Sequence, residues 1–161
     1  MRAALLGVTL VVGSATPGAQ EDFSYARRLY LDKAQCSYCH GWAGDGAGEG
    51  QSNGGAANLR QTRLNRAQLV MTIMCGRPGT AMPRFDESAY SDKRCYGMTE
   101  AQLGSRTPAL PAGSTLQPRE AEAIADYVLA KFVGRGAVTQ TECEESFGKG
   151  ARSCGEYRAK P

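Results

Sequence analysis

The most specific chemistry in the chain is carried by Cys36, Ser37, Tyr38, Cys39 and His40, which form a C-x-x-C-H run. Two thiols three positions apart can each add to one of the two vinyl groups along a porphyrin edge, and the next residue then sets its imidazole under the iron. The spacing predicts a covalently attached c-type haem, with Cys36 and Cys39 as the thioether cysteines and His40 as the proximal iron ligand. C-x-x-C also serves zinc and dithiol redox sites. Zinc needs a further close pair of ligands, yet His40 is the only histidine, and Cys75, Cys95, Cys143 and Cys154 form no second C-x-x-C. A thioredoxin-like site needs a βαβ setting, and Gly41-Trp42-Ala43-Gly44-Asp45-Gly46 is no crossover helix.

A second candidate lies in Gly79-Thr80-Ala81-Met82-Pro83-Arg84-Phe85. Met82 is a soft sulfur donor in a loop, followed by a proline that fixes its own φ and removes a donor. Sulfur opposite imidazole raises the reduction potential of a haem relative to harder ligands. Met82 is therefore the expected distal ligand, with Met98, or a vacant or otherwise filled position, as the alternatives. Met71 and Met74 fall in a helical segment and are read as helix residues. The loop from Gly41 to Gly55 carries seven glycines, a density that permits positive φ and close approach to a flat ligand. It lacks the Gly-Lys-Ser/Thr ending of a phosphate cradle and follows no predicted strand, which disfavours a nucleotide. Asp45 and Glu49 stand in it without a calcium-loop pattern, so they are read as solvated.

Helices must hold these groups. Asp22 or Ser24 can cap a helix whose apolar positions Phe23, Ala26, Leu29 and Tyr30 follow the three-to-four spacing, and which is predicted to run up to Cys36. Asn65 can cap the next, Arg66 to about Cys75, with Leu69, Val70, Ile73 and Met74 as its stripe and Gly76-Arg77-Pro78-Gly79 as its stop. From Phe85 to Leu116 runs a long connection containing Pro and Gly, with one helical turn predicted at Thr99 to Leu103. Such a stretch is often functional, and it is expected to lie over the haem edge or to meet a partner. The last helix, Pro118 to Phe132, has Pro at its first position, Glu120 and Glu122 in its first turn and Gly134 as its stop. Its stripe is Ala121, Ile124, Ala125, Val128, Leu129 and Phe132.

A chain of 161 residues suits one domain with a leader and an extension. Met1-Arg2, the apolar run Ala3 to Val12 and the small residues after it read as a secretory signal over residues 1–19, cut after Ala15 or near Ala19. The run is short for a bilayer span, leaving a retained anchor as the lesser alternative and no stable membrane span as the expectation. Residues 20–134 then form the haem domain and 135–161 a polar extension. Export into an oxidising compartment accounts for the four remaining cysteines. Pairing Cys75 with Cys95 and Cys143 with Cys154 is favoured, since each closes a short loop within its own segment, with free thiols as the alternative. The net charge of +3 is too small to argue for nucleic acid. Arg60, Arg63, Arg66, Arg77 and Arg84 occur with no acidic residue between them, which reads either as a basic face that steers an acidic partner or as a solvated helix face.

The order of parts over residues 22 to 134 resembles the class I c-type cytochromes: a helix leading into Cys36 to His40, a glycine-rich loop, a middle helix, the Met82-Pro83 loop and a C-terminal helix bearing an aromatic. The resemblance implies an all-α fold, a bundle of three to four helices around one covalent haem c, with the insertion and the disulfide-tied extension added to it. It implies that the first and last helices cross beside the haem with Tyr127 in the crossing, and that Ala56 to Leu59 line the propionate side. It also implies a periplasmic electron carrier, not an enzyme, serving a redox protein such as a quinoprotein dehydrogenase and a terminal oxidase or another cytochrome. A haem subunit held permanently in a dehydrogenase complex is the alternative.

Overall fold

A computed structural model describes residues 22–52 and 55–157. The expected leader, residues 1–19, lies outside the described residues. The fold is all-α, with no strand among the described residues. No helix among them is long and apolar enough to cross a membrane.

Helix α1, Ser24–Arg28, begins where the Asp22 carboxylate accepts the Ser24 amide at 2.8 Å, which also holds that carboxyl below its ordinary range. It does not run on to Cys36 as one α-helix. Leu29–Lys33 form a π turn closed by the Ala34 amide donating to the Leu29 carbonyl, and Gln35, at φ +49°, breaks the helix. Residues four apart on an α-helix drift by about 40° around its axis. The wider turn takes up that drift, so that Ala26, Tyr30 and Ala34 all reach the buried side. Helix α2, Cys36–His40, is therefore a separate turn.

Helix α3, Arg66–Cys75, starts in a reciprocal capping box between Asn65 and Gln68. It buries Leu69 and Ile73 and leaves Met71 exposed. Helix α4, Glu100–Leu103, is the predicted single turn. Helix α5, Pro118–Lys131, packs on both α1 and α3. Ala121 and Ala125 are fully buried in the core that α5 shares with its neighbours. Tyr127 lies in the crossing, its ring centroid 5.7 Å from Tyr30, 6.2 Å from Phe23 and 5.2 Å from Phe132. Tilted aromatic pairs of this kind add about 0.5–1.5 kcal/mol each beyond their burial.

Both disulfides form as paired above, Cys75 with Cys95 and Cys143 with Cys154. The connection after Phe85 carries more than its predicted helical turn. Ala89, Tyr90 and Leu103 close around Cys75–Cys95, with Met98 packed against them, as a second core separate from that of the main helices. The extension is likewise ordered. Helix α6, Gln140–Phe147, is capped by Thr139 and tied through Cys143–Cys154 to a short 3-10 segment, Arg152–Tyr157. Phe147 and Tyr157 meet Trp42 edge-on at 5.1 and 6.2 Å.

One ion pair pins the π turn to α5. Both Glu120 oxygens accept from Lys33 Nζ at 2.7 Å, while Oε2 also accepts the Gln117 amide. The Lys33 ammonium, helped by that amide, holds the Glu120 carboxyl below its ordinary value against the opposing effect of burial. The stability this lends is complete above the ordinary glutamate pKa of about 4.3 and is lost as pH falls through the lower folded value. Lys33 is partly exposed, so solvent screening limits the effect. Glu120→Gln is expected to cost about 1 kcal/mol at pH 7. Urea midpoints should converge with those of the unsubstituted protein once pH has fallen below the lowered Glu120 value; a deficit that stays equal there and at pH 7 would refute the assignment.

Candidate functional site

Cys36 and Cys39 sit one turn apart on α2, so both thiols leave the same face of the helix. Both are free and half-buried, whereas the other four cysteines are paired. Burial, reinforced by Cys39, pushes the Cys36 thiol up to about 12. That is the reverse of the depressed thiol of a dithiol oxidoreductase.

His40 follows at the end of α2. Its Nδ1 lies 2.8 Å from the Ala57 carbonyl, an arrangement satisfied by an Nδ1–H donor that leaves the Nε2 lone pair for a metal. Burial lowers the His40 pKa, Ala57 opposes that, and the charge on Arg77 adds to it, so the ring is held in the neutral form a ligand requires. The carbonyl that sets the tautomer is delivered by the glycine loop. Gly46, at φ +84°, donates its amide to the His40 carbonyl at 2.9 Å, and a Cβ there would stand 2.6 Å from the Ala56 carbonyl oxygen. Gly46 thus serves the close return of the loop on itself. In the 56–59 stretch, Ala57 faces His40, Asn58 caps the Arg60 amide at 2.9 Å and Leu59 packs on the main core.

Met82 is half-buried in the loop between α3 and the insertion. Its amide donates to Thr80 Oγ1 at 3.2 Å and its carbonyl accepts from Arg77 at 3.2 Å. The other methionines among the described residues are placed elsewhere: Met74 packs on the main core, Met98 on the second core, and Met71 is exposed. Glu49 accepts from Ser37 on α2 at 3.1 Å, and Asp45 accepts the Ala47 amide at 3.2 Å. No group of three or more His, Cys, Asp and Glu residues able to hold a metal ion occurs among the described residues.

The run of five arginines does not make one basic face. Arg60 is buried, bonded to Glu142 and to several backbone carbonyls; Arg66 pairs with Asp126 and Glu122. Arg63 and Arg77 are exposed, and Arg84 is half-buried. Arg60 and Arg66 each meet carboxylates more than fifty positions away, which the local charge count does not see.

The residues present fit a c-type haem. Two free thiols stand one helical turn apart and the adjacent imidazole has a fixed tautomer. In addition, Arg84 Nε is buried with no hydrogen-bond partner among the described residues. An unmatched guanidinium donor two positions beyond Met82 is costly unless an acceptor meets it, and haem propionates are anionic acceptors. No sequence signal beyond its place in Met82-Pro83-Arg84 marked it.

The family model described as cytochrome C oxidase, cbb3-type, subunit III matches residues 24–100. No match was found among curated proteins or among solved structures. The matched stretch opens on α1, takes in the C-x-x-C-H turn and the Met82 loop, and ends inside the insertion. This is the arrangement of a class I c-type cytochrome, and residues 24–100 carry a c-type cytochrome domain.

Proposed function

We propose that the chain is an exported one-electron carrier in which a single covalent haem is held through Cys36 and Cys39, with His40 as proximal and Met82 as distal ligand. The observation that carries this reading is the turn Cys36–His40, whose two thiols stay unpaired beside an imidazole with Nε2 left free. When bound, the haem supplies a ferric/ferrous couple. His40 is oriented by Ala57, and Met82 would hold the far side of the iron, where oxygen or peroxide would otherwise react. The leader over residues 1–19 and the two disulfides accord with a periplasmic location. Residues 20–134 are the electron-carrying domain and 135–161 its extension. The donor is a periplasmic dehydrogenase of the quinoprotein kind, and the acceptor a terminal oxidase or another cytochrome.

A second reading is a haem subunit held permanently in a complex, such as that of a dehydrogenase. It is favoured by the oxidase-subunit name of the matched family and by Phe147, half-exposed on the extension. Sedimentation with the native donor separates the two. A carrier is expected to dissociate as ionic strength rises from about 0.01 to 0.15 M, where the Debye length shrinks from about 30 to 8 Å; a permanent subunit stays bound. Acid-acetone should leave the pigment on the chain, titration should take up one electron per chain, and carbon monoxide should bind the reduced protein poorly. Extractable pigment or ready carbon monoxide binding would sink the proposal.

A further inference from the structure

The insertion between residues 86 and 116 touches the Met82 loop at three separate points. At its start, the loop leaves α3 at Gly76, whose carbonyl accepts the Tyr96 hydroxyl at 2.9 Å. In its middle, the Gly79 amide donates to the Arg106 carbonyl at 2.8 Å. Near its end, the Arg84 amide donates to the Ala109 carbonyl at 2.9 Å. The insertion is itself anchored beside the loop by Cys75–Cys95 and by the buried Tyr90, whose hydroxyl donates to the Cys75 carbonyl at 2.8 Å.

The two ends of the loop are also fixed. The Phe85 and Asp86 amides both donate to the Met74 carbonyl, at 3.1 and 3.0 Å. Gly76 has φ +66°, and a Cβ on it would lie 2.7 Å from the Pro83 backbone, so the helix end and the loop end press together without room for a side chain. Inside the loop, the bonds are local ones, from Met82 to Thr80 and from Arg77 to Met82. Tyr96 holds a left-handed backbone, φ +54°, in a residue type for which that is unfavourable, while its hydroxyl reaches Gly76.

We infer that the insertion is a strap that positions Met82, with Tyr96 and the Cys75–Cys95 disulfide as its positioning groups. This rests on Met82 being the distal ligand. The strap orders the loop in advance, so the Met82 sulfur competes for its position with little further loss of chain entropy. Loosening the strap raises the fraction of molecules in which the position stands open, and the apparent affinity for an outside ligand rises with that fraction.

The test uses the haem-loaded ferric full chain and imidazole as the competing ligand. Four variants are compared: Tyr96→Phe, Cys75→Ala with Cys95→Ala, Cys143→Ala with Cys154→Ala, and Met82→Ala. Tyr96→Phe removes one hydroxyl and is expected to tighten imidazole binding about fivefold, the change that loss of one ordinary hydrogen bond produces. Removal of Cys75–Cys95 is expected to tighten it more than tenfold and to weaken the red absorption of the methionine-iron bond. Removal of Cys143–Cys154 destabilises the chain at a place the loop does not touch and should leave both readouts within about twofold. Met82→Ala should abolish the red absorption. If it does, and the two strap variants bind imidazole no more tightly than the Cys143/Cys154 variant, the strap is refuted while Met82 stands as ligand. If the red absorption survives Met82→Ala, the ligand assignment fails and the strap with it.

Discussion

Replacing Met82 with alanine is expected to remove the low-spin methionine signature, lower the reduction potential by on the order of 100 mV and admit carbon monoxide to the reduced protein. A thioether is a soft donor that favours the ferrous state. Alanine supplies none, so the position passes to water or to an outside ligand. The chain should remain folded, because Met82 belongs to neither hydrophobic core and its loop is braced by backbone bonds that alanine keeps. Met98→Ala is the companion measurement. Met98 packs against the core around Cys75–Cys95, so its truncation should cost about 1–2 kcal/mol in urea unfolding, below the 2–5 of a fully buried methionine, and leave the spectrum intact. Loss of the signature in Met98→Ala alone would exchange the two roles.

How legible the molecule is in its sequence depends on how local the determining contacts are. Helix α5 is legible because proline at its start, Glu120 in its first turn and the Ala121 to Phe132 stripe all agree. The C-x-x-C-H turn is legible because its chemistry is fixed by spacing alone. Both disulfides follow from cysteines close enough in sequence to fall in one folded segment. The π turn is not legible: Leu29 and Tyr30 look the same in an α-helix, and only the need to bury Ala34 as well widens the turn. The second core escapes detection since Ala89, Tyr90, Cys95 and Leu103 have no common period and meet around Cys75–Cys95. The Ala57 carbonyl acquires its role from a loop closing on His40, for which no residue type is diagnostic.

Arg60 shows the same principle with the largest expected effect on stability. Its side chain is 2 % exposed, and its guanidinium reaches the Ala43 carbonyl at 3.2 Å, the Arg135 carbonyl at 3.3 Å and both Glu142 oxygens at 3.0 and 3.1 Å. One cation thus joins the loop that follows His40, the link after α5 and the first turn of α6. Burial raises the Glu142 carboxyl pKa, but hydrogen bonds from Arg60 and Thr139 outweigh it, and the group is held below its ordinary range. Arg60→Met would leave Glu142 and the carbonyls without their donor. Breaking a buried pair from one side costs about 3–5 kcal/mol, and the partial exposure of Glu142 places this case near 3. The thermal midpoint should fall by on the order of 10 °C. Glu142→Gln keeps an acceptor and should fall between that and the unsubstituted protein. Arg66→Met, which breaks pairs of half-exposed groups, should change little. Trypsin should reach Arg135 and Lys149 faster in Arg60→Met, because the extension loses its one charged anchor among the described residues. If Arg60→Met melts no lower than Arg66→Met, the extension is held instead by Trp42 against Phe147 and Tyr157, and the guanidinium is dispensable.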